Sequence, residues 1–203
     1  MGDDVRLVQE VHLGPGALPG GAGNGREPWL RTGVMLELLG PSPGARVLLV
    51  GEREGILAAR LTDEKKASTT WLTGRGDDIP LRDNEFDAVA SQFALEYLDE
   101  PHAALAEWAR VLKNGGTLAL VTRNALFRGP ELRPRAKAAW TFTPVQLLGL
   151  VAGAGLEVRE VRTLIPDLRL PRLYRGDLSF SHRFERLPYF RERGMLLFIG
   201  ATK

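Results

Sequence analysis

The chain has 203 residues, 44% hydrophobic and 26% charged, which is the profile of an ordinary folded globule with one full-sized core. Its net charge is +2, from 27 basic and 25 acidic residues, so total charge gives no argument for a nucleic-acid-binding protein. The absence of cysteine excludes disulfides, a thiol nucleophile and thiolate metal ligands. No apolar run approaches the roughly 20 residues that span a bilayer. The N-terminus also lacks the basic-then-apolar order of a secretory signal, so we expect a cytoplasmic protein.

The N-terminal region divides into two parts. Residues 1–13 alternate enough to form a short strand or an arm, and residues 14–27 are rich in glycine and proline, as loops are. We therefore predict a flexible arm over residues 1–28 and a single domain over residues 29–203. The domain opens with a helix over Trp29–Leu39, where apolar residues recur at helical spacing.

The next stretch has the form of a nucleotide-binding βα unit. Val47–Val50 is a continuous apolar run, as expected of a strand buried on both faces. Gly51 and Gly55 then frame a short turn, and Ile56–Lys66 is predicted to be the following helix. Backbone N–H groups at such a turn face the ligand, so both glycines are predicted to bind a cofactor. By themselves they are equally compatible with a tight turn that binds nothing.

The remaining elements alternate in type. Strands are predicted at residues 68–72, 86–92, 117–122, 156–164 and 195–202, and helices at residues 99–112 and 143–154. Lys113–Gly116 is predicted to cap the first of these helices, because glycine after a last turn readily takes the left-handed conformation. Alternation of strands and helices predicts an α/β fold with a doubly wound, mostly parallel sheet.

Four segments resemble, in order, those of a known family. They are Asp78-Ile-Pro-Leu-Arg-Asp-Asn-Glu-Phe-Asp87, Phe93-Ala-Leu-Glu-Tyr-Leu-Asp-Glu-Pro101, Ala106-Glu-Trp-Ala-Arg-Val-Leu-Lys-Asn-Gly-Gly116 and Phe142-Thr-Pro-Val-Gln-Leu continuing to Val158. On these motifs the chain resembles the class I S-adenosylmethionine-dependent methyltransferases, in particular the small-molecule branch. The resemblance covers roughly residues 30–164 and the last strand. It implies a Rossmann-like fold, S-adenosylmethionine as cofactor and methyl transfer to a small or anionic acceptor.

The cofactor motif is degenerate relative to that family. Leu49 stands where the family has an acidic residue, and Arg53 stands where it has a second glycine. Only 20 residues separate Gly55 from Gly76, which predicts that one strand–helix unit is missing at a sheet edge. The acidic residue that binds the ribose hydroxyls then has no counterpart at the end of the second strand. Carboxylates in the nearby loops are the predicted replacements: Glu52, Asp77 and Asp78.

The family's acceptor side lies past the fourth and fifth strands, and there we predict the catalytic groups. Tyr97 and Glu96 are the candidates for a general base, although Glu96 could equally be a surface residue at a helix start. Phe93 is predicted to contact the cofactor. No Asp, Glu and His cluster has the spacing of a metal site.

Two functions of different classes follow from these patterns. One is a methyltransferase acting on a small-molecule acceptor. The other is a non-catalytic relative that serves as a binding or dimerisation scaffold, in a homo- or hetero-oligomer, because its cofactor motif is degraded. Residues 165–193, rich in arginine and aromatics, are predicted to be an insertion that receives an anionic acceptor or a protein partner, or to be a solvated face. Nucleic acid is the less favoured ligand, because no binding module is present.

Overall fold

The structure is a computed structural model of the chain, and it describes residues 7–8, 26–51, 55–72, 79–127, 138–164 and 194–203. Most of the predicted arm and all of the predicted insertion, residues 165–193, lie outside these ranges. The organisation predicted for them stays a prediction.

The described residues form helices and strands close to the predicted ones. The helices are α1 Arg26–Leu39, α2 Ile56–Lys65, α3 Pro101–Val111 and α4 Pro144–Gly153, with a short 3₁₀ helix over Ala94–Tyr97. The strands are β1 Leu7–Val8, β2 Arg46–Val50, β3 Ser68–Leu72, β4 Phe86–Gln92, β5 Leu112–Arg123, β6 Glu157–Leu164 and β7 Leu196–Thr202. None of the helices in the described ranges is long and apolar enough to cross a membrane.

The strands form one sheet in the order β1-β3-β2-β4-β5-β7-β6. The four neighbours β3, β2, β4 and β5 run parallel, and β7 is antiparallel to β5 and β6, between which it lies. The predicted doubly wound, mostly parallel sheet is therefore confirmed. The last strand lies inside the sheet and not at its edge.

The predicted loss of a strand–helix unit is also confirmed. Only residues 73–85 separate β3 from β4, and the described part of this interval, residues 79–85, contains no helix or strand. The sheet edge beside β3 is taken instead by β1, which runs antiparallel and pairs Leu7 with Leu72 and Val8 with Trp71. A two-residue strand from the N-terminus thus occupies the place of a complete unit.

The sheet buries a separate apolar layer on each face. Strand alternation sends Ala88 and Ala90 of β4 to the face covered by α1 and α2, where they pack with Met35. Phe86 and Val89 face the other side and pack with the helices α3 and α4. This division places residue 92, the last of β4, on the α1 face.

The predicted helix cap at Lys113–Gly116 is wrong. α3 ends at Val111 and β5 begins at Leu112, so these residues belong to the strand. The β4–β5 register jumps from Phe86↔Leu112 to Ala88↔Thr117, which leaves residues 113–116 as a bulge. A Cβ on Gly116 would lie 2.8 Å from the carbonyl oxygen of Lys113, so glycine there serves the close chain approach within the bulge.

The predicted start of α4 is confirmed. The Thr143 hydroxyl accepts a hydrogen bond from the Gln146 N–H, and the Gln146 side chain accepts one from the Thr143 N–H. Pro144 occupies the first turn, where its missing N–H costs nothing. This reciprocal capping box fixes the direction in which the chain enters α4.

Candidate active site

The carboxyl ends of β2 and β4 define the site. These strands are neighbours, with Val50 opposite Ser91, but the chain leaves β2 towards β3 on one side and leaves β4 towards β5 on the other. Such a reversal opens a crevice at the strand ends, which is where open α/β sheets bind ligands. The residues that follow the two strands therefore form the candidate site.

Gly51 joins these two strand ends. Its φ of +76° lies in the left-handed region, and a Cβ there would come within 2.7 Å of both the Gln92 carbonyl oxygen and the Ala94 Cβ. Only glycine meets both conditions without displacing backbone. Gly51 is itself exposed, so its backbone is open to a ligand from the crevice.

Gly55 begins α2 at the same edge. It has a φ of +70°, is buried, and its carbonyl accepts the helix hydrogen bond of Ala59 N–H at 2.9 Å. Among the described residues, no side chain caps this helix start. The positive end of the α2 dipole thus points into the crevice, which favours an electron-rich ligand group.

The predicted carboxylates Glu52, Asp77 and Asp78 lie outside the described residues, as does Arg53. Their roles stay predictions. The end of β3 is described, and it terminates in buried, apolar Leu72. It therefore provides no acidic partner for ribose hydroxyls at that position.

Phe93 follows β4 in a left-handed conformation, with a φ of +57°. Its N–H donates to the Val121 carbonyl at 2.9 Å, which ties the turn to β5. The guanidinium groups of Arg31 and Arg123 lie over its ring, 5.0 and 5.5 Å from the centroid. A non-glycine residue held in this conformation at a strand end is typical of a functional site.

Arg31 and Gln92 form a buried polar pair beneath that turn. Arg31 on α1 is 6% exposed and Gln92 is 4% exposed. The Arg31 Nε donates to the Gln92 Oε1 at 2.9 Å. The Gln92 Nε2 is buried and has no hydrogen-bond partner among the described residues.

Glu96 is fully buried and is bound by Arg123 through both carboxylate oxygens. Oε1 accepts from the Arg123 backbone N–H at 2.6 Å, and Oε2 accepts from its Nη1 at 2.5 Å. Burial raises the pKa of Glu96 above its usual value, although the hydrogen bonds and charge of Arg123 oppose the rise. The carboxylate therefore has a structural partner at each oxygen. Its predicted role as a base stays a prediction.

Tyr97 is 38% exposed and lies beside a second exposed aromatic residue. Trp140, 44% exposed, is anchored to both chain neighbours of Tyr97. Its backbone N–H donates to the Glu96 carbonyl at 3.1 Å, and its indole N–H donates to the Leu98 carbonyl at 2.9 Å. Two partly exposed aromatic residues thus lie at neighbouring positions after β4 and before α4. Within the described ranges, no group of three or more acidic or histidine side chains is arranged to hold a metal.

Known proteins with similar sequences or folds are methyltransferases in most cases. Residues 31–120 match the family model described as a methyltransferase domain. A demethylmenaquinone methyltransferase from Renibacterium salmoninarum is 34% identical over 142 residues, which are 66% of this chain and 53% of that protein. A ubiquinone/menaquinone biosynthesis C-methyltransferase from Erwinia tasmaniensis is 28% identical over 121 residues, 57% of this chain and 47% of that protein.

Solved structures agree on the fold. The Haloferax volcanii methyltransferase bound to the Trm112 methyltransferase activator superposes with a TM-score of 0.64, at 21% identity, over 86% of this chain and 89% of that one. The [4+2]-cyclase SpnF superposes with a TM-score of 0.60, at 19% identity, over 85% of this chain and 80% of that one.

The chain has the fold of the class I methyltransferases, and its residues 31–120 match a methyltransferase domain. It spans about half the length of the curated relatives it matches. In this fold β2 and β4 are neighbours at the crevice, and β1 pairs with β3 at the sheet edge.

The described part of this methyltransferase-fold site fits the family's cofactor at its amino-acid end. Gly51 presents exposed backbone, and Gln92, whose backbone carbonyl adjoins Gly51, has a buried amide N–H with no partner among the described residues. Arg123 would face a bound sulfonium only as part of an ion pair, because the Glu96 carboxylate binds that guanidinium. The part of the site that would hold the ribose lies outside the described residues.

The sequence prediction missed Arg31 as a site residue. Its spacing could have indicated a buried position, because Arg31 lies four residues before Met35 and eight before Leu39, both buried on α1. A charged residue on the buried stripe of a helix requires a polar partner. The sequence could not identify that partner as Gln92, which is 61 residues away in the chain.

Proposed function

We propose that this protein transfers a methyl group from S-adenosylmethionine to a small acceptor. The observation that carries the proposal is the retained geometry of Gly51, which closes β2 onto β4 and leaves its own backbone open at the crevice. The cofactor, when bound, supplies an electrophilic methyl group on a sulfonium. Because such a displacement needs mainly alignment, the contribution of the protein is to position the two reactants.

The charges around the crevice support binding of a cationic cofactor. Arg123 approaches the site through Phe93, and an isolated guanidinium there would repel a sulfonium. The Glu96 carboxylate pairs with it at 2.5 Å and offsets that charge. We therefore assign Glu96 the role of a positioning residue, and Tyr97 becomes the stronger candidate for the base that accepts a proton from the acceptor.

A flat, partly apolar acceptor suits the described acceptor side. Tyr97 and Trp140 present two partly exposed aromatic rings, on which an aromatic or quinol-like ring could stack. The Renibacterium relative is named for demethylmenaquinone, which has this chemistry. The arginine-rich residues 165–193 favour an acceptor that also carries negative charge.

A non-catalytic scaffold is the second candidate function. It is favoured by the end of β3, where Leu72 offers no acidic partner for a ribose, and by the missing strand–helix unit. The Haloferax fold neighbour is bound to a protein activator, which is a precedent for a methyltransferase fold engaging a partner. On this proposal the chain forms a homo- or hetero-oligomer and binds no nucleoside.

Isothermal titration with S-adenosylmethionine and S-adenosylhomocysteine separates the two functions. We expect micromolar binding of both if the site is functional. If Asp77 or Asp78 holds the ribose, replacing that residue with alanine should weaken binding at least tenfold. The control Asp63→Ala, at an exposed position on α2, should leave binding unchanged. Silence up to millimolar ligand would overturn the stand-alone enzyme and leave the scaffold.

Methyl transfer itself is tested with a reduced demethylated naphthoquinone and labelled cofactor. Transfer of the labelled methyl group from the cofactor to the quinone product supports the proposed acceptor class. Nucleoside binding without transfer to this acceptor would restrict the conclusion to cofactor binding and redirect the search for the acceptor.

A further inference from the structure

The strand β6 forms one edge of the sheet. In the described part of the chain it pairs on one side only, with β7, so the backbone groups on its outer side have no strand to pair with. Unpaired backbone groups of this kind are a template for a further strand. At eight residues, β6 offers a longer edge than the two-residue β1 on the opposite side of the sheet.

The charged side chains of β6 occur in an ordered pattern. Its first six residues are Glu157-Val-Arg-Glu-Val-Arg162. Charged residues on an edge oppose pairing with most strands, but a strand with the complementary order of charges avoids this repulsion. The segment begins with glutamate and ends with arginine, so an antiparallel copy of it brings opposite charges together at both ends.

A bulge in β6 places the matching residues on the same faces of the sheet. The β6–β7 register skips Arg159, which is therefore an extra residue in β6. Val158 and Val161 consequently share one face, and both pack against the apolar layer on the α3 and α4 side. Glu157 and Arg162 share the other face, because their partners in β7 are four residues apart. In a regular strand the members of each pair would lie on opposite faces.

A two-fold axis at Glu160, perpendicular to the sheet, aligns two copies of β6 in this way. Such an axis keeps every residue on its own face. It sets Val158 opposite Val161 of the second copy, and Glu157 opposite Arg162 of the second copy, and each contact occurs twice. Cross-strand pairs of opposite charge and of β-branched residues both stabilise antiparallel strands.

The central residue of this register meets its own copy, and a neighbouring cation offsets its charge. The Glu160 Oε1 accepts a hydrogen bond from the Arg162 Nε at 2.6 Å. The Arg162 Nη1 donates to the Glu37 Oε2 of α1 at 2.5 Å, which fixes the guanidinium beside the strand. Repulsion between the two Glu160 carboxylates at the axis is reduced by these two guanidinium groups.

The helix α4 flanks the same edge and contains no charged residue. It packs against β6, and Val145 in its first turn is 79% exposed. Its other exposed positions are also uncharged: Gln146, Gly149, Ala152 and Gly153. Because a perpendicular two-fold axis keeps both copies of α4 on the same face of the joined sheet, the two helices can approach each other without charge repulsion.

We propose that the outer edge of β6 is a homodimer interface, in which a second copy of this chain pairs antiparallel with β6 about Glu160. The second copy is the partner that the charge pattern selects, because β6 itself supplies the complementary order. The interface joins two sheets into one. It does not include the crevice at the ends of β2 and β4, so it goes beyond the proposed function and applies to an enzyme and to a scaffold alike.

Charge reversal in two separate variants tests this register. Glu157→Arg opposes arginine to arginine twice in its homodimer, and Arg162→Glu opposes glutamate to glutamate twice. Each homodimer should dissociate roughly tenfold more readily than the wild type in sedimentation equilibrium. An equimolar mixture of the two variants should recover the dimer, because both contacts then join opposite charges. Asp63→Arg, an exposed reversal on α2, is the control and should leave the wild-type dimer unchanged.

Three results would overturn the inference: a wild type that stays monomeric up to about 0.1 mM, a dimer that neither reversal weakens, and a mixture that does not recover the dimer. Arg162→Glu loses the contacts to Glu37 and Glu160. If it does not fold, Arg162→Gln replaces it, and its mixture with Glu157→Arg should still form more dimer than Glu157→Arg alone.

The proposed function is tested separately on the same samples. Titration of the wild type with S-adenosylhomocysteine does not depend on the β6 contacts. A dimer that binds no nucleoside removes the stand-alone methyltransferase and leaves the interface intact, whereas a monomer that binds it removes the interface and leaves the proposed function intact.

Discussion

Gly51→Ala should destabilise the protein through two separable effects. The φ of +76° costs a residue with a Cβ about 1–2 kcal/mol. The new Cβ would also come within 2.7 Å of the Gln92 carbonyl oxygen and the Ala94 Cβ. Since one of these atoms is backbone, the end of β4 has to move, and overpacking of this kind costs about 1–3 kcal/mol. The expected loss of unfolding free energy is roughly 3 kcal/mol.

Two other glycines isolate the two effects. Gly44 has a φ of +80° and nothing within 4 Å of an added Cβ, so Gly44→Ala measures the conformational cost alone. Gly116 has no left-handed φ but would place a Cβ 2.8 Å from the Lys113 carbonyl oxygen, so Gly116→Ala measures the contact cost alone. The loss at Gly51 should approach the sum of the other two, because Gly51→Ala combines the left-handed φ of Gly44 with a backbone contact as close as that at Gly116.

Urea unfolding monitored by circular dichroism is the appropriate assay, with thermal midpoints as a check. A chain of this size shifts its midpoint by about 2–4 °C per kcal/mol. The reasoning is refuted if Gly51→Ala costs no more than Gly44→Ala, because the close approach between β2 and β4 would then contribute nothing.

Three further predictions concern charge, capping and catalysis. Because burial raises the pKa of Glu96, the wild type should lose stability relative to Glu96→Gln as pH rises from about 4.5 through the raised pKa. The pKa of Glu107 is lowered by its hydrogen bond from an arginine, so stability relative to Glu107→Gln should change with pH in the opposite direction. Urea midpoints measured at stepped pH test this, and slopes of the same sign for the two pairs would contradict it. Thr143→Ala removes the hydroxyl that accepts the Gln146 N–H and should cost about 1 kcal/mol in urea unfolding, whereas Thr143→Ser should restore most of it; equal losses would mean that the cap contributes nothing. Tyr97→Phe should lower the rate of methyl transfer about 10²–10⁴-fold while leaving S-adenosylhomocysteine binding unchanged, and an unaltered rate would remove Tyr97 as the base.

Local patterns in the sequence were sufficient for the elements and their order. The strands Ser68–Leu72 and Phe86–Gln92 have the predicted bounds, and Thr143 caps α4 as predicted. These features depend on apolar periodicity and on contacts within a few residues, both of which are visible along the chain. The missing strand–helix unit was also predictable, because 20 residues between Gly55 and Gly76 cannot hold four elements.

The bulge at residues 113–116 was not predictable from the same local rules. Two adjacent glycines after a helix usually indicate a cap, and nothing nearby in sequence distinguishes a cap from a bulge. The deciding contact is the pairing of β5 with β4, which brings the Asp87 carbonyl to 3.1 Å from the Cβ position of Gly116. Such pairing is a property of the assembled sheet.

The sequence by itself determined the fold class and the element order. Only the tertiary structure decided which side chains of the site form hydrogen bonds and ion pairs with other residues of the chain. Glu96 is bound by Arg123, 27 residues away, and Gln92 is oriented by Arg31, 61 residues away. The physical reason is that hydrogen bonding and burial at a crevice depend on groups that sheet order and helix packing bring together. Residues this far apart in sequence give no local pattern from which such a contact could be predicted.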